Sequence, residues 1–136
     1  MTATLDPART TSTSITSLVV TGVAAAAVAG AATTAVAAAG RAAGISLDVQ
    51  GAPIPLSGFA VLTVAFSLVG LVIAVALAKW ARHPRRVFVR TTVVLTALSL
   101  VPDLLADAAW STRLLLMVTH LVAAAIVIPA VARRLR

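Results

Sequence analysis

Four apolar stretches, each long enough to cross a membrane, run through this chain of 136 residues and leave no room between them for a separate soluble domain. A membrane helix needs about 20 mostly apolar residues to cross roughly 30 Å of hydrocarbon. Residues 17–39 contain no charge, and residues 56–80 are equally clean as far as Ala78. The third span, 87–105, has Arg90 just inside one end and Asp103 just inside the other. The fourth, 112–131, follows Thr112 with Arg113 and holds His120 as its only ionisable interior residue. A composition 60% hydrophobic and 11% charged agrees with the count. The expected fold is all-α: one integral membrane domain, 1–136, built as a four-transmembrane-helix bundle.

Orientation follows from the cations, because short cytoplasmic connections hold the excess of Lys and Arg. Lys79, Arg82, Arg85, Arg86 and Arg90 crowd the connection between the second and third spans. Arg133, Arg134 and Arg136 follow the fourth span, and Arg9 precedes the first. With four crossings these nine share a side, against Arg41 and Arg113 on the other, where Asp48, Asp103 and Asp107 also fall. Both termini are therefore expected in the cytoplasm and the 41–55 loop outside, in a multi-pass protein of the cell membrane.

The net charge of +7 has the same origin. Cations beside membrane ends meet anionic lipid headgroups, so the bilayer is the expected partner and nucleic acid is not. Ten Arg against one Lys, amid abundant Ala and Val, has the look of a high-GC bacterial genome. Ala37-Ala38-Ala39 resembles a signal-peptidase site, but the apolar stretch exceeds the roughly 7 to 15 residues of a signal core, and Asp6 offsets Arg9. The first span is expected to be retained.

Several chemistries lack their residues. Without cysteine there is no disulfide exchange or thiolate metal site. Haem held between two histidines needs a second histidine in the membrane, and His83 falls in the basic connection. A proton-coupled exporter wants an acid at mid-membrane, whereas the four acids lie outside the hydrocarbon centre. One histidine and rim aspartates hardly make a hydrolytic metal centre, and no base stands at a spacing that activates a Ser or Thr. Neither enzyme activity, cofactor nor metal is expected.

Small and hydroxylated residues mark helix contacts in lipid, where association depends on close packing and interhelical hydrogen bonds. Gly22, Ala26, Gly30, Thr34 and Ala38 recur every four residues in the first span. Thr63, Ser67, Gly70, Ala74 and Ala78 do the same at spacings of three and four in the second, and Thr92, Thr96, Ser99 and Asp103 form a stripe in the third. These faces suggest a tight bundle. An ionisable residue within a membrane is costly and by default a functional candidate. At 1.5 Å per residue, His120 falls roughly 12 Å below the outer end of its span, level with Thr96, Thr63, Thr33 and Thr34. A polar cavity of His120, Thr96, Thr63 and Thr34, open to the outside, is one expectation; a neutral histidine satisfied by a neighbouring hydroxyl is the other. Arg113 is expected to pair with Asp103 or Asp107 at the outer rim, holding a tight turn around Pro102.

In the outer loop Ile45, Leu47 and Val49 alternate with Ser46, Asp48 and Gln50 before Gly51 and two prolines. This predicts a short β-hairpin turning at Gln50-Gly51, resting on the helices because such a hairpin is marginal alone.

The stretches GAPIPLSGFA, RHPRRVFVRTT, ALSLVP and THLVAAAIVIPAVARRL resemble a family of small, uncharacterised four-span integral membrane proteins of actinobacteria, a domain of unknown function. The resemblance runs from about Leu18 to Leu135. It implies the same topology, with Pro102, His120 and Pro129 as family-type positions, and it implies no activity. From the sequence the expected role is a non-enzymatic structural or interaction protein of the envelope, with a homo-oligomer or partner membrane protein as its associate. The alternative is a small-molecule carrier or channel with a polar cavity around His120, and a weaker one is an enzyme acting on lipid at the outer surface.

Overall fold

The computed structural model describes residues 13–136; Arg9 and the rest of the leading segment lie outside the described residues. Its elements run α1 (Ile15–Ala42), β1 (Asp48–Val49), β2 (Ala52–Pro53), α2 (Leu56–Trp80), α3 (Pro84–Leu105) and α4 (Trp110–Ala132). All four helices are long and apolar enough to cross a membrane. Their exposed faces are apolar as well: Phe66 is 71% exposed and Val72 68%. In water such faces would be a liability; in hydrocarbon they are the expected surface.

Local chemistry sets the ends. The Ser14 hydroxyl caps α1 by accepting from the Ser17 amide. Gly44, at φ +86°, takes the left-handed conformation that stops the helix. Pro84 starts α3, where a missing amide hydrogen costs nothing. The third helix does not turn at Pro102. It continues to Leu105, since proline removes one amide hydrogen bond but its φ suits the helix, and the reversal falls instead in residues 106–109.

The hairpin forms where expected but is only two residues long on each side, pairing Asp48 with Pro53 and Val49 with Ala52. Gln50 and Gly51 both have positive φ, the turn whose twist suits a two-residue hairpin. The helices hold it down. Leu47 is buried among Ala37, Phe59 and Leu115. The Gln50 amide donates to the Asp107 carbonyl at 2.8 Å, and Thr112 Oγ1 donates to the carbonyl of Ser46. Those bonds gather the end of α1, the hairpin and the α3–α4 connection at one end of the bundle. At the other, the Arg136 amide meets Thr13 Oγ1 at 3.3 Å, so both ends of the described chain lie with the basic α2–α3 connection.

Packing is uneven. The first helix is the central one, in extensive contact with α2 and α4, while α3 leans on α4 and touches α2 lightly. A Cβ on Gly22 would collide with Leu71 Cδ1, and one on Gly40 would come within 2.9 Å of Leu115. The buried stripe of α1 starts as the sequence suggests, at Gly22, Ala26 and Gly30, then continues through Thr33, Ala37 and Gly40 instead of Thr34 and Ala38. At about 100° per residue a strict four-residue spacing rotates away: from Gly22, Thr34 is turned by about 120° and Thr33 by only about 20°.

Two apolar clusters close the ends of the bundle. One joins Leu18, Leu71, Ala74, Phe88, Val127, Val131 and Leu135 toward the basic end; the other is the Leu47 cluster under the hairpin. Between them, α2 and α3 part.

Candidate functional site: the intramembrane cleft

The parting leaves a cleft of about 750 Å³ bounded by α2, α3 and α4. Its long axis follows the helices. The second helix lines it from Phe59 to Ile73, about 21 Å at 1.5 Å per residue. Phe59 and Phe88 stand at its two ends, each belonging to one of the closing clusters. Exposed side chains border it on both sides, Leu62, Phe66 and Val69 from α2 and Leu95 and Leu98 from α3. The opening is therefore lateral, between the exposed apolar side chains of α2 and α3. This differs from the small polar cavity facing the outer solution that depth counting suggests: the Leu47 cluster covers the hairpin end, and most of the lining is apolar.

Polar atoms form a minority stripe on the walls. Thr92, Thr96, Ser99 and Asp103 from α3, Thr119 and His120 from α4, and Thr63 and Ser67 from α2 reach the cleft. Four of the hydroxyls are occupied on their own helices. Thr92 donates to the Phe88 carbonyl, Thr96 to Thr92, Ser99 to Thr96 and Thr119 to Leu116, at 2.7–2.8 Å. This back-bonding is how a hydroxyl is satisfied where there is no water. Thr63 bonds Thr33 of α1 at 2.9 Å, tying the cleft wall to the central helix. Of the four residues expected around the cavity, His120, Thr96 and Thr63 reach it. Thr34 does not line it, and its hydroxyl returns to the Gly30 carbonyl at 2.8 Å.

His120 finds a carboxylate instead of a hydroxyl. Its Nδ1 lies 2.8 Å from Asp103 Oδ2 and 3.0 Å from the Leu116 carbonyl oxygen. Helical side chains point toward the helix N-terminus, so the imidazole on α4 is carried back toward the last turn of α3. Asp103 is largely buried, with 12% of its side chain exposed against 40% for His120. A proton on Nδ1 aimed at the Leu116 carbonyl leaves Oδ2 without a well-directed donor, although it is enclosed by protein. A buried acceptor in that condition costs about 1–3 kcal/mol.

The expected outer-rim ion pair is therefore replaced. Asp103 faces His120, and the Arg113 guanidinium donates from Nε to the Ala108 carbonyl at 3.0 Å and from Nη1 to Leu104 at 3.1 Å. The Leu104 carbonyl is in the last turn of α3 and has no partner within the helix, and Ala108 lies in the connection that follows; a guanidinium with its fixed fork of donors satisfies both at once. Asp107 contributes its backbone carbonyl, to Gln50. Among the described residues no group of three or more His, Cys, Asp or Glu side chains converges, so Asp103 and His120 stand as a pair.

A family whose members are described only as of unknown function, DUF6069, matches residues 13–136, nearly the whole chain. The chain belongs to the DUF6069 family. Comparison with curated proteins and with solved structures found no match. In this DUF6069 chain the positions implied by resemblance fall into two groups. Pro102 and His120 both line the cleft, whereas Pro129 lies inside α4 beyond it.

Proposed function

We propose that this protein is a non-enzymatic carrier that holds a small lipophilic molecule in the cleft, with the polar end of the guest at Asp103 and His120. The observation that carries the proposal is the lateral opening: a slot about 21 Å long, mostly apolar with a minority polar stripe and bordered by lipid-facing side chains. Molecules dissolved in the bilayer enter such a slot without crossing water. Pockets that bind small molecules are mostly apolar, with a few placed polar groups, and this one has that composition. The channel form of the idea is the weaker one, because clusters around Phe59 and Phe88 block both ends. The structural or interaction role draws its support from the tight glycine contacts of α1, but these join α1 to α2 and α4 of the same chain. Association with a second copy or a partner membrane protein belongs to that reading.

Native mass spectrometry from a mild detergent tests the proposal. Gly70 borders the cleft, and no atom lies within 4 Å of where its Cβ would stand. Gly70→Trp should expel a retained lipophilic molecule without lowering the thermal midpoint. Equal retention in both proteins would move the guest elsewhere.

The same reading places the protein in the cell membrane of a high-GC, actinobacterial cell, with both termini and the basic connection cytoplasmic and the hairpin outside. The charge asymmetry supports it. In this cysteine-free chain, an impermeant thiol reagent applied to intact cells should label Gln50→Cys and spare His83→Cys. The reverse pattern would invert the topology.

A further inference from the structure

The apolar cleft ends on an acid and a base 2.8 Å apart, with a buried carboxylate oxygen that lacks a directed donor, and that arrangement names a ligand class. Among the described residues no other titratable side chain lines the cleft. The charged groups gathered at the same end are Arg41, Arg113, Asp48 and Asp107. Arg113 is held by the carbonyls of Leu104 and Ala108, and the Asp48 carboxylate accepts from the Ser46 hydroxyl at 2.8 Å. Arg41 ends α1, and Asp107 lies in the connection. None of these four lines the cleft. From the helices packed around the pair, α2 presents only Thr63 and Ser67 as polar side chains to the cleft.

A carboxylate accepts hydrogen bonds and cannot donate them, and a neutral imidazole carries one N–H. When the pair holds a proton in addition, it is electrically neutral overall. When it holds none, a net negative charge faces an apolar space of low dielectric, where attraction to a cation is much stronger than in water. The buried Oδ2, lacking a directed donor, is what an ammonium N–H would satisfy.

We propose that the Asp103–His120 pair binds either one proton or one lipophilic organic ammonium ion, and that the apolar cleft receives the body of that ion. This deepens the carrier reading and rests on it. Guest entry then releases the proton from the pair to the aqueous phase, and protonation expels the guest. A cation of this kind carries its apolar body into Leu62, Phe66, Leu95 and Ala124 while its ammonium group replaces the proton.

Two probes of nearly equal shape separate the ideas: 1-aminoadamantane, an ammonium ion at neutral pH, and 1-adamantanol, which is uncharged and also has a donor. Calorimetry on the full chain in detergent, at several values from about pH 5 to 8, should show the amine binding more tightly as pH rises. The slope where the pair is protonated should approach tenfold per pH unit, the linkage expected for one competing proton. Measured in two buffers of different ionisation enthalpy, binding should release about one proton. The alcohol should bind with neither a pH slope nor proton release. Asp103→Asn should abolish the preference for the amine and retain the alcohol, which also reports that the cleft is intact. If that variant fails to fold, His120→Gln serves: it keeps the carboxylate and removes the imidazole, so the pH dependence of amine binding should change from the parent's while alcohol binding stays the same; an unchanged profile would overturn the exchange. Equal, pH-independent binding of both probes would overturn the exchange while leaving the cleft a binding site. Amine binding without proton release would overturn it as well. Binding of neither probe would remove both the exchange and the carrier reading beneath it.

Discussion

The two sides of α2 present a contrast. Against α1, its Leu71 fills the space left by Gly22 and its Val64 lies 3.0 Å from where a Cβ on Gly30 would stand. Against α3, its own Gly70 faces nothing within 4 Å. The same residue type therefore serves close packing on one seam and leaves room on the other. Small residues in a membrane span mark places where the backbone is bare, and only the neighbouring helix determines whether that bareness is filled. Where α1 fills it, the bundle has its core; where α3 stands away, the bundle has its cleft.

Substitution at the two glycines should separate the seams most strongly. Gly22→Val drives a branched side chain into Leu71, and overpacking of that kind costs about 1–3 kcal/mol. Gly70→Val should cost nothing and gain up to about 0.5 kcal/mol from the loss of helix-destabilising glycine. Thermal unfolding in one detergent compares them. Equal losses would mean that α2 and α3 close on each other.

A smaller effect distinguishes adjacent threonines. Thr33 is fully buried and bonded to Thr63 and the Gly30 carbonyl, so Thr33→Ala should destabilise by about 1 kcal/mol, leaving a hydroxyl of α2 without its partner. Thr34 bonds only its own helix, and Thr34→Ala should stay within about 0.5 kcal/mol of the parent. The reverse order, again by thermal unfolding, would show that α1 is rotated from the orientation described. The smallest effect is at the connection: Arg113→Gln should cost about 0.5–1 kcal/mol as the carbonyls of Leu104 and Ala108 lose their donor, with the loss insensitive to Asp107→Asn. If Asp107→Asn alone reproduces that loss, the guanidinium pairs with a carboxylate after all.

Much of this architecture is legible in the chain itself. Uninterrupted apolar length marks the four helices to within a few residues, because only length and hydrophobicity decide whether a segment spans. The hairpin is legible from Gln50-Gly51 between alternating residues. The site is legible only in part. Depth matching brings Thr63, Thr96 and His120 toward one place, but it treats helices as level cylinders and ignores the direction in which a side chain leaves the helix. For the same reason sequence position offers Asp103, along with Asp107, to Arg113, when the imidazole of His120 reaches back to Asp103. The threonine of α1 is misplaced by the drift between a four-residue spacing and a 3.6-residue turn. The cleft itself has no sequence signature: Thr92, Thr96 and Ser99 form the same stripe whether a partner helix covers it or not.

The account stands on the cleft being filled from the bilayer, and photolabelling measures that directly. An alkyl chain bearing a diazirine, activated in vesicles containing the protein, should modify the cleft floor at Thr119, Ala123 and Ala124, as well as lipid-facing Val61 and Val72. Excess unlabelled alkyl ligand should suppress the floor adducts alone, and Gly70→Trp should remove them. Adducts confined to the outward faces, or floor adducts that neither the competitor nor Gly70→Trp diminishes, would contradict a bound guest and leave a bundle that only packs against itself.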